Sequence, residues 1–363
     1  MKYNRITAIV TLAIVLACSS TSPASAQVKP GDLITRDNAS KVAGLVSPGN
    51  MFLVQQGMAM RIVPTGQLEW PPPYKAATEK YSSQVGLSPD GNLANYVAGL
   101  PFPMVDADDP QAASKIMWNF EFRPMYTDDV DARNVETQSY AAGSSDEIEH
   151  FAFGHFGLYN YIGRTEVAPV PIDPGVLNMG IASRGGVYPV LEPAEMRGAG
   201  IVRERSILPK VEDYAWEYSS SSRRLRRLPA SELSDAFGVA RISGAGTRSG
   251  GGGATTYAST LDPNSAFGFS GKITEYSYRL LGERSMLASV DGNSPATPCA
   301  NDGGRTVCEN WQPRRIYVIE ATAKPGSALS ASTLIPKRIL YIDSEGWFIT
   351  ASDLYDRDGR LWK

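Results

Sequence analysis

Histidine and cysteine are scarce in this chain of 363 residues, which has two histidines and three cysteines. His150 and His155 are five residues apart, so they share no helix face and lie on opposite faces of a regular strand. Zinc would need further ligands at suitable spacing, and no cysteine is nearby. The chain also lacks a Gly-x-Ser-x-Gly elbow beside which a histidine would act. We therefore expect core or surface histidines, no catalytic site, no metal and no other cofactor.

A phosphate-binding loop and an excess of basic charge are also missing. The glycine-rich segment Gly244–Gly253 is followed by Ala254, Thr255 and Thr256 without a lysine, so we interpret it as a flexible loop. Residues 1–26 hold two basic and no acidic residues, which leaves 33 basic and 38 acidic residues and a net charge of −5 in the rest. This balance argues against nucleic acid as a partner.

The first 26 residues have the pattern of a secretory signal peptide. Lys2 and Arg5 precede the apolar run Ile6–Ala17, which is too short to span a bilayer, and Ala24–Ala26 forms an A-x-A cleavage site. We expect export to the periplasm and one mature domain, residues 27–363. The alternative is an outer-membrane lipoprotein attached through Cys18, although Leu16 suits a lipobox poorly.

Cys299 and Cys308 flank a turn-forming segment with the sequence Asn-Asp-Gly-Gly. A disulfide between them would persist in an oxidising periplasm and would tie down a loop. Two free thiols are the alternative. The spacing is not that of a redox-active Cys-x-x-Cys pair.

Alternating β-branched and aromatic residues dominate the C-terminal end. Arg315–Thr322, Arg338–Asp343 and Trp347–Asp353 follow this pattern, with Ser344–Gly346 and Asp356–Gly359 as turns. Such a pattern predicts an antiparallel meander.

The rest of the chain predicts more strands than helices. Because these elements are segregated and do not alternate as β-α-β units, we expect a β-rich α+β fold with a large curved antiparallel sheet and a few covering helices. The predicted strands are a hairpin over Met51–Val63, an aromatic segment over Ile148–Tyr161, strands Gly185–Leu191 and Gly200–Leu208, a hairpin of Asp213–Tyr218 with Arg223–Leu228, and strands Phe267–Leu281 and Arg284–Val290. The predicted helices are Asn38–Leu45, Tyr74–Val85, Gln111–Trp118 and Ser231–Phe237.

Several blocks together resemble a bacterial family known as domain of unknown function 1329. The resemblance implies an incomplete antiparallel β-barrel closed by helices around an apolar cavity, as in the lipoprotein carriers LolA and LolB. It also implies a setting beside a resistance-nodulation-division type transporter and an outer-membrane protein, and it assigns no catalytic residues. The segment near Leu68–Trp70 departs from the family pattern. The resembling blocks are Tyr96–Pro103, Lys115–Asn119, Asp213–Pro229 and the C-terminal meander.

Aromatic and methionine side chains are the candidates for lining an apolar cavity, because flexible thioethers suit an acyl chain. A filled sheet core is the alternative. The candidates are Met58, Met60, Phe151, Phe153, Tyr276, Tyr278, Trp311, Tyr317, Tyr341 and Trp347.

Four arginines on one short predicted strand are the candidates for docking an anionic head group or an acidic partner. Pairing with Glu217 and Asp213 on the neighbouring strand is the alternative. These arginines are Arg223, Arg224, Arg226 and Arg227. Two aspartate clusters are interpreted as a solvated acidic loop (Asp128, Asp129, Asp131) and as turn chemistry (Asp353, Asp356, Asp358), since neither has the spacing of a Ca²⁺ loop.

Three functional hypotheses follow. The first is a periplasmic carrier of a hydrophobic, lipid-like ligand that works with an envelope transporter. The second is an adaptor that docks to a transporter or outer-membrane protein without a ligand. The third is a hydrolase, against which the missing histidine-based site argues.

Overall fold

The computed structural model describes residues 28–125, 127–140, 147–175, 180–209, 211–228, 268–269, 272–290, 309–325 and 336–362. The predicted signal peptide with Cys18, the Cys299–Cys308 pair, the helix Ser231–Phe237 and the loop Gly244–Gly253 lie outside these residues.

The described residues form a β-rich α+β fold whose strands pair almost entirely antiparallel. Two sheets of six strands each and one two-stranded ribbon contain all the named strands. In chain order the strands are β1 (Leu33–Ile34), β2 (Met60–Ile62), β3 (Gly86–Leu87), β4 (Leu93–Ala94), β5 (Asp129–Tyr140), β6 (Glu147–Asn160), β7 (Ile181–Glu192), β8 (Gly200–Ser206), β9 (Tyr214–Ser219), β10 (Arg224–Leu228), β11 (Tyr276–Ala288), β12 (Asn310–Ala323), β13 (Lys337–Asp343) and β14 (Ile349–Tyr355).

The first sheet is built around β12, which pairs with β11 on one side and with β13 and β2 on the other. β14 pairs with β13, and Leu361 bridges back to Tyr355. The predicted C-terminal meander is therefore confirmed. Its alternation is explained by burial on both faces: Tyr317 and Ile319 face one apolar cluster, whereas Ile316 and Val318 face another.

Two helices cover one face of the first sheet: α2 (Pro72–Tyr81) and α3 (Ala112–Glu121). Ala113, Ile116 and Phe120 recur at helical spacing on α3, and all three are buried in the cluster that includes Tyr317. α2 begins at Pro72, a first helical position that suits proline because no N–H is required there. None of the helices in the described ranges is long and apolar enough to cross a bilayer.

The second sheet contains β5 to β10 in sequential order, each strand antiparallel to the next. The predicted hairpin of β9 and β10 is confirmed, with Arg226 opposite Glu217 and Leu225 opposite Tyr218. The aromatic segment predicted over Ile148–Tyr161 is β6.

The hairpin predicted over Met51–Val63 is wrong. Residues Pro48–Gln55 form a helix, α1, and only Met60–Ile62 is extended. The Ser47 hydroxyl accepts a hydrogen bond from the Asn50 N–H at 3.1 Å, and Pro48 takes the first helical position. This serine N-cap comes just before the apolar run. It favours a helix there, although the residues of the run have strand propensity.

Two other predictions from the sequence differ from the structure in the type or the bounds of the element. The helix expected over Asn38–Leu45 is a 3-10 helix over Arg36–Val42. The strands expected over Phe267–Leu281 and Arg284–Val290 are replaced by the single strand β11, which starts only at Tyr276 and has a bulge between Leu280 and Gly282. Gly282 adopts φ 136°, a left-handed conformation that glycine accommodates, so the chain continues through the bulge without ending the strand.

Asp353 on β14 anchors α1 to the first sheet. Its buried carboxylate accepts hydrogen bonds from the Gly49 N–H at 3.1 Å and the Tyr341 hydroxyl at 3.0 Å. An added Cβ on Gly49 would lie 2.5 Å from this carboxylate, so a larger residue there would have to displace it. Asp353 is thus a buried helix anchor, whereas Asp356 performs the predicted turn chemistry by accepting N–H bonds from Asp358 and Arg360.

Burial raises the pKa of Asp353, although its hydrogen bonds partly oppose this. The native state therefore binds the proton more tightly than the unfolded chain, whose aspartate titrates near 3.9. The stability of the native protein relative to an Asp353→Asn variant should be greatest below that value and fall as the pH rises through the raised pKa. Urea unfolding of both proteins from pH 4 to pH 7 measures this. The prediction is contradicted if the stability of wild type relative to Asp353→Asn increases as the pH rises.

Candidate ligand-binding groove

One face of the second sheet has three parallel rows of side chains that run across the strands. The rows follow from the pairing register, because directly opposed residues and residues two apart along a strand share a face. The middle row is Asp131, Gly157, Gly186, Val202, Trp216 and Arg227; one flanking row is Arg133, His155, Tyr188, Gly200, Tyr218 and Leu225; the other is Asp129, Tyr159, Arg184, Glu204 and Tyr214.

The part of the middle row on β5 to β8 forms the floor of a groove, because two neighbouring positions there, Gly157 and Gly186, have no side chain. An added Cβ on Gly186 would lie 2.4 Å from the carbonyl oxygen of Ile201, so this glycine permits the close approach of β7 and β8. An added Cβ on Gly157 would meet only the carbonyl oxygen of Val130, at 3.8 Å. No neighbouring atom therefore requires a glycine at position 157. The absence of a side chain there leaves open space on this face of the sheet.

The groove encloses about 590 Å³ between walls made by the flanking rows. Tyr188 and His155 form one wall, and Tyr159 and Arg184 form the other. The volume falls within the roughly 300–1,000 Å³ typical of small-molecule sites. Tyr188 is 57% exposed, so an apolar ring stands at the open edge.

An ion-pair network neutralises the charges at the β5 end of the groove. Asp131 accepts hydrogen bonds from Arg133 Nε and from His155 Nδ1, both at 2.8 Å. The Arg133 guanidinium, and after it the His155 ring, hold the pKa of the Asp131 carboxyl below its usual range. Asp131 is therefore a paired carboxylate, and it orients the His155 ring along the wall.

The opposite wall is also charge-balanced. Arg184 pairs with Glu204, and this pairing raises the pKa of Arg184. The Tyr159 hydroxyl donates to Asp173 at 2.8 Å, a bond that raises the pKa of Tyr159. Its ring lies 4.6 Å from the Arg164 guanidinium, which forms a bidentate pair with Asp129.

The groove therefore presents glycine backbone, apolar side chains and tyrosine rings, with each described charge in it paired. Burying a charged ligand group beside paired charges would leave that group uncompensated, whereas an uncharged apolar group brings no charge that needs a partner. The arrangement suits an aliphatic chain or a flat apolar ring. Within the described residues, no three histidine, cysteine, aspartate or glutamate side chains are grouped as metal ligands.

The ten cavity candidates predicted from sequence lie in four separate apolar clusters. Met58, Met60 and Trp311 pack in one cluster with α1, and Tyr341 lies on the outer face of the first sheet. Phe151 and Phe153 stack in a cluster of the second sheet. The cluster beneath α2 and α3 contains Tyr276, Tyr278, Tyr317 and Trp347.

That last cluster is filled by helix side chains. Tyr317 and Trp347 stack on each other, with ring centroids 5.8 Å apart, and Met117 and Ile116 of α3 pack in the same cluster. The structure thus brings these candidates together as a helix-covered core, and it gathers none of the ten in the groove.

The four arginines predicted as a docking site lie at the β9–β10 hairpin. Arg226 pairs with the buried Glu217 at 2.9 Å, as the alternative interpretation expected. Asp213 instead pairs with Arg205. Arg223, at φ 54° in the turn, Arg224 and Arg227 are exposed, and Arg227 lies over the Tyr214 ring at 4.6 Å.

The acidic segment Asp128–Asp131 is engaged in intramolecular bonds. Asp128 is buried and accepts backbone N–H bonds from Thr165, Glu166 and Val167. Asp129 and Asp131 pair with arginines, as described above. The interpretation as a solvated loop is therefore wrong: Asp128 is a structural acceptor that fixes the loop after β6.

Sequence reasoning missed the groove residues, although one signal was present. Glycines inside strands mark bulges or places of close approach, and Gly157 and Gly185–Gly186 occur in segments of strand composition. Only the register reveals that Gly157 and Gly186 are opposite each other.

A family model described as a protein of unknown function, DUF1329, matches residues 33–363. No curated protein matches the chain. Among solved structures, a domain of an outer-membrane lipoprotein-sorting protein from Vibrio parahaemolyticus is 14% identical, with 69% of this chain and 74% of that chain covered and a TM-score of 0.39. A DUF1329 family protein from Desulfovibrio piger is 16% identical (65% and 70% covered, TM-score 0.36), and a LolA superfamily protein from Nitrosomonas europaea is 14% identical (67% and 70%, TM-score 0.32).

Proposed function

Because the chain belongs to the DUF1329 family, whose description assigns no activity, we propose its function from the groove: it binds an uncharged, lipid-like hydrophobic ligand. We propose that it carries this ligand in the periplasm after export, as the sequence of residues 1–26 predicts. A transporter of the resistance-nodulation-division type and an outer-membrane protein are the proposed partners, on the basis of the family resemblance.

The observation that carries the proposal is the glycine floor between charge-neutral walls. An apolar chain lying over Gly157 and Gly186 can approach the backbone closely, and no described charge has to be desolvated without a partner. At ~0.8 kcal/mol per methylene, an acyl segment of about eight methylenes would gain roughly 6 kcal/mol. Such a modest gain suits a carrier, which has to release its ligand again.

A binding role is favoured over catalysis. Among the described residues, the ionisable groups that line the groove are Asp129, Asp131, His155, Tyr159, Arg184 and Tyr188. All except Tyr188, whose ring lies exposed at the open edge, are held in an ion pair or hydrogen bond within the wall. In the part of the chain that the structure describes, no serine, threonine or cysteine lines the groove as a nucleophile. We propose that the protein is not an enzyme.

The protein is purified from an envelope fraction without detergent and then extracted with organic solvent to test this proposal. Mass spectrometry of the organic extract should find a hydrophobic species in near-stoichiometric amount. If no species co-extracts, and the hydrophobic dye N-phenylnaphthylamine does not bind either, the carrier function is wrong and the adaptor hypothesis takes its place.

A further inference from the structure

The β9–β10 hairpin presents an exposed leucine among exposed arginines. Leu225 is 67% exposed, the largest exposed fraction of any apolar side chain on the described second sheet. It follows Arg223 and Arg224 and precedes Arg226 and Arg227. Most of this side chain is in contact with water, so the fold itself gains little from burying it.

The charge of this hairpin is opposite to that of the rest of the molecule. Residues 27–363 carry a net charge of −5, yet Arg223, Arg224 and Arg227 form no ion pair with a described acidic residue. Only Arg226 is neutralised, by Glu217. An anionic surface would therefore attract the hairpin and repel the rest of the molecule. The molecule would approach such a surface with the hairpin facing it.

Aromatic side chains continue the hairpin surface toward the groove. Tyr218 is directly opposite Leu225, and Trp216 is directly opposite Arg227, on the groove face of the sheet. Trp216 in turn is opposite Val202, which lines the groove. The described apolar surface is thus continuous from the hairpin to the groove.

We propose that the β9–β10 hairpin docks on an anionic membrane surface, with Leu225 and the neighbouring aromatic rings in the interface and Arg223, Arg224 and Arg227 on lipid phosphates. Arginine binds phosphate through two parallel hydrogen bonds, and tyrosine and tryptophan rings favour the membrane interface. An acidic protein would attract the arginines but would not explain an exposed leucine and aromatic rows beside them. The docked orientation places the β9 end of the groove at the lipid surface, and this last step rests on the proposed carrier function.

Flotation with vesicles of phosphatidylcholine, with and without phosphatidylglycerol, tests the docking. Wild-type protein should float with the anionic vesicles only, and less at high salt. At about 1 kcal/mol per arginine near an anionic surface, the variant Arg223→Gln/Arg224→Gln/Arg227→Gln should bind roughly 100-fold more weakly. Leu225→Ser should weaken binding with less change in the salt dependence.

A matched control removes three exposed arginines from the other sheet and the C-terminal turn: Arg279→Gln/Arg315→Gln/Arg360→Gln, whose side chains are 67%, 68% and 76% exposed. This control has the same net charge as the hairpin variant and should float like wild type. Equal loss in both triple variants, or no flotation of wild type, would overturn the proposal. Retention of wild type by polyglutamate beads but not by vesicles would assign the arginines to an acidic protein and would also overturn it.

The docking proposal and the ligand-binding proposal can be tested independently of each other. The hairpin variant should bind N-phenylnaphthylamine in solution like wild type, since none of its three arginines lines the groove. A Gly157→Leu variant, which fills the groove, should still float with anionic vesicles. Circular dichroism of each variant establishes that it is folded.

Discussion

Replacement of Arg314 by methionine is expected to lower the free energy of unfolding by about 3–5 kcal/mol, because it leaves a buried charge without its partner. Arg314 and Asp343 are 2% and 0% exposed and form a bidentate pair at 2.7 and 3.1 Å. Arg314 also donates to the Gly66 carbonyl at 2.7 Å, so the same side chain ties the N-terminal segment to the meander.

The matched control for Arg314→Met is Arg279→Met. Arg279 lies on β11 and pairs with Glu320 at 3.0 Å, but it is 67% exposed. An exposed pair contributes about 0–1 kcal/mol, so this variant should be nearly as stable as wild type. Urea unfolding at neutral pH measures both. Similar losses in the two variants would mean that burial of the Arg314 pair has no part in holding the meander.

Substitution of Gly157 by leucine is expected to lower the affinity for N-phenylnaphthylamine at least tenfold. The new side chain would project from the middle of the groove floor into the space between Tyr188 and Tyr159. The backbone around Gly157 leaves room for a Cβ, so the fold should tolerate the change, and a non-glycine residue suits a strand better. A fluorescence titration measures the affinity.

Gly86→Leu is the control for the groove substitution. Gly86 lies in the two-stranded ribbon, nothing lies within 4 Å of an added Cβ, and its φ is outside the left-handed region. This variant adds the same side chain to a ribbon that is not part of the second sheet. It should bind the dye like wild type. An unchanged affinity in Gly157→Leu would show that the dye binds elsewhere.

The C-terminal meander could be predicted from sequence because its alternation and its turns agree. Ile316 to Ile319 alternate between two apolar clusters, and the Asp343 carboxylate fixes the following turn through the N–H groups of Glu345 and Gly346. The β9–β10 hairpin was predictable for the same reason. Local signals determine structure where propensity, pattern and turn chemistry point the same way.

The groove could not be predicted, because it depends on pairing between strands distant in sequence. Gly157 and Gly186 are opposite each other only in the β6–β7 register. The aromatic composition pointed instead to residues such as Tyr317 and Trp347, which the helices cover. Composition does not distinguish a filled core from an open face, since both require apolar side chains. α1 was missed because a serine N-cap outweighed a run of strand-like residues.

Photolabelling with an uncharged fatty alcohol that bears a diazirine tests most directly whether the groove binds the ligand. After irradiation and proteolysis, mass spectrometry should find the label on peptides from β6 and β7, and excess unlabelled fatty alcohol should suppress it. Labelling confined to the cluster of Tyr317 and Trp347, or to that of Met60 and Trp311, would contradict the account. The ligand would then enter one of the apolar cores, and the groove would have another use.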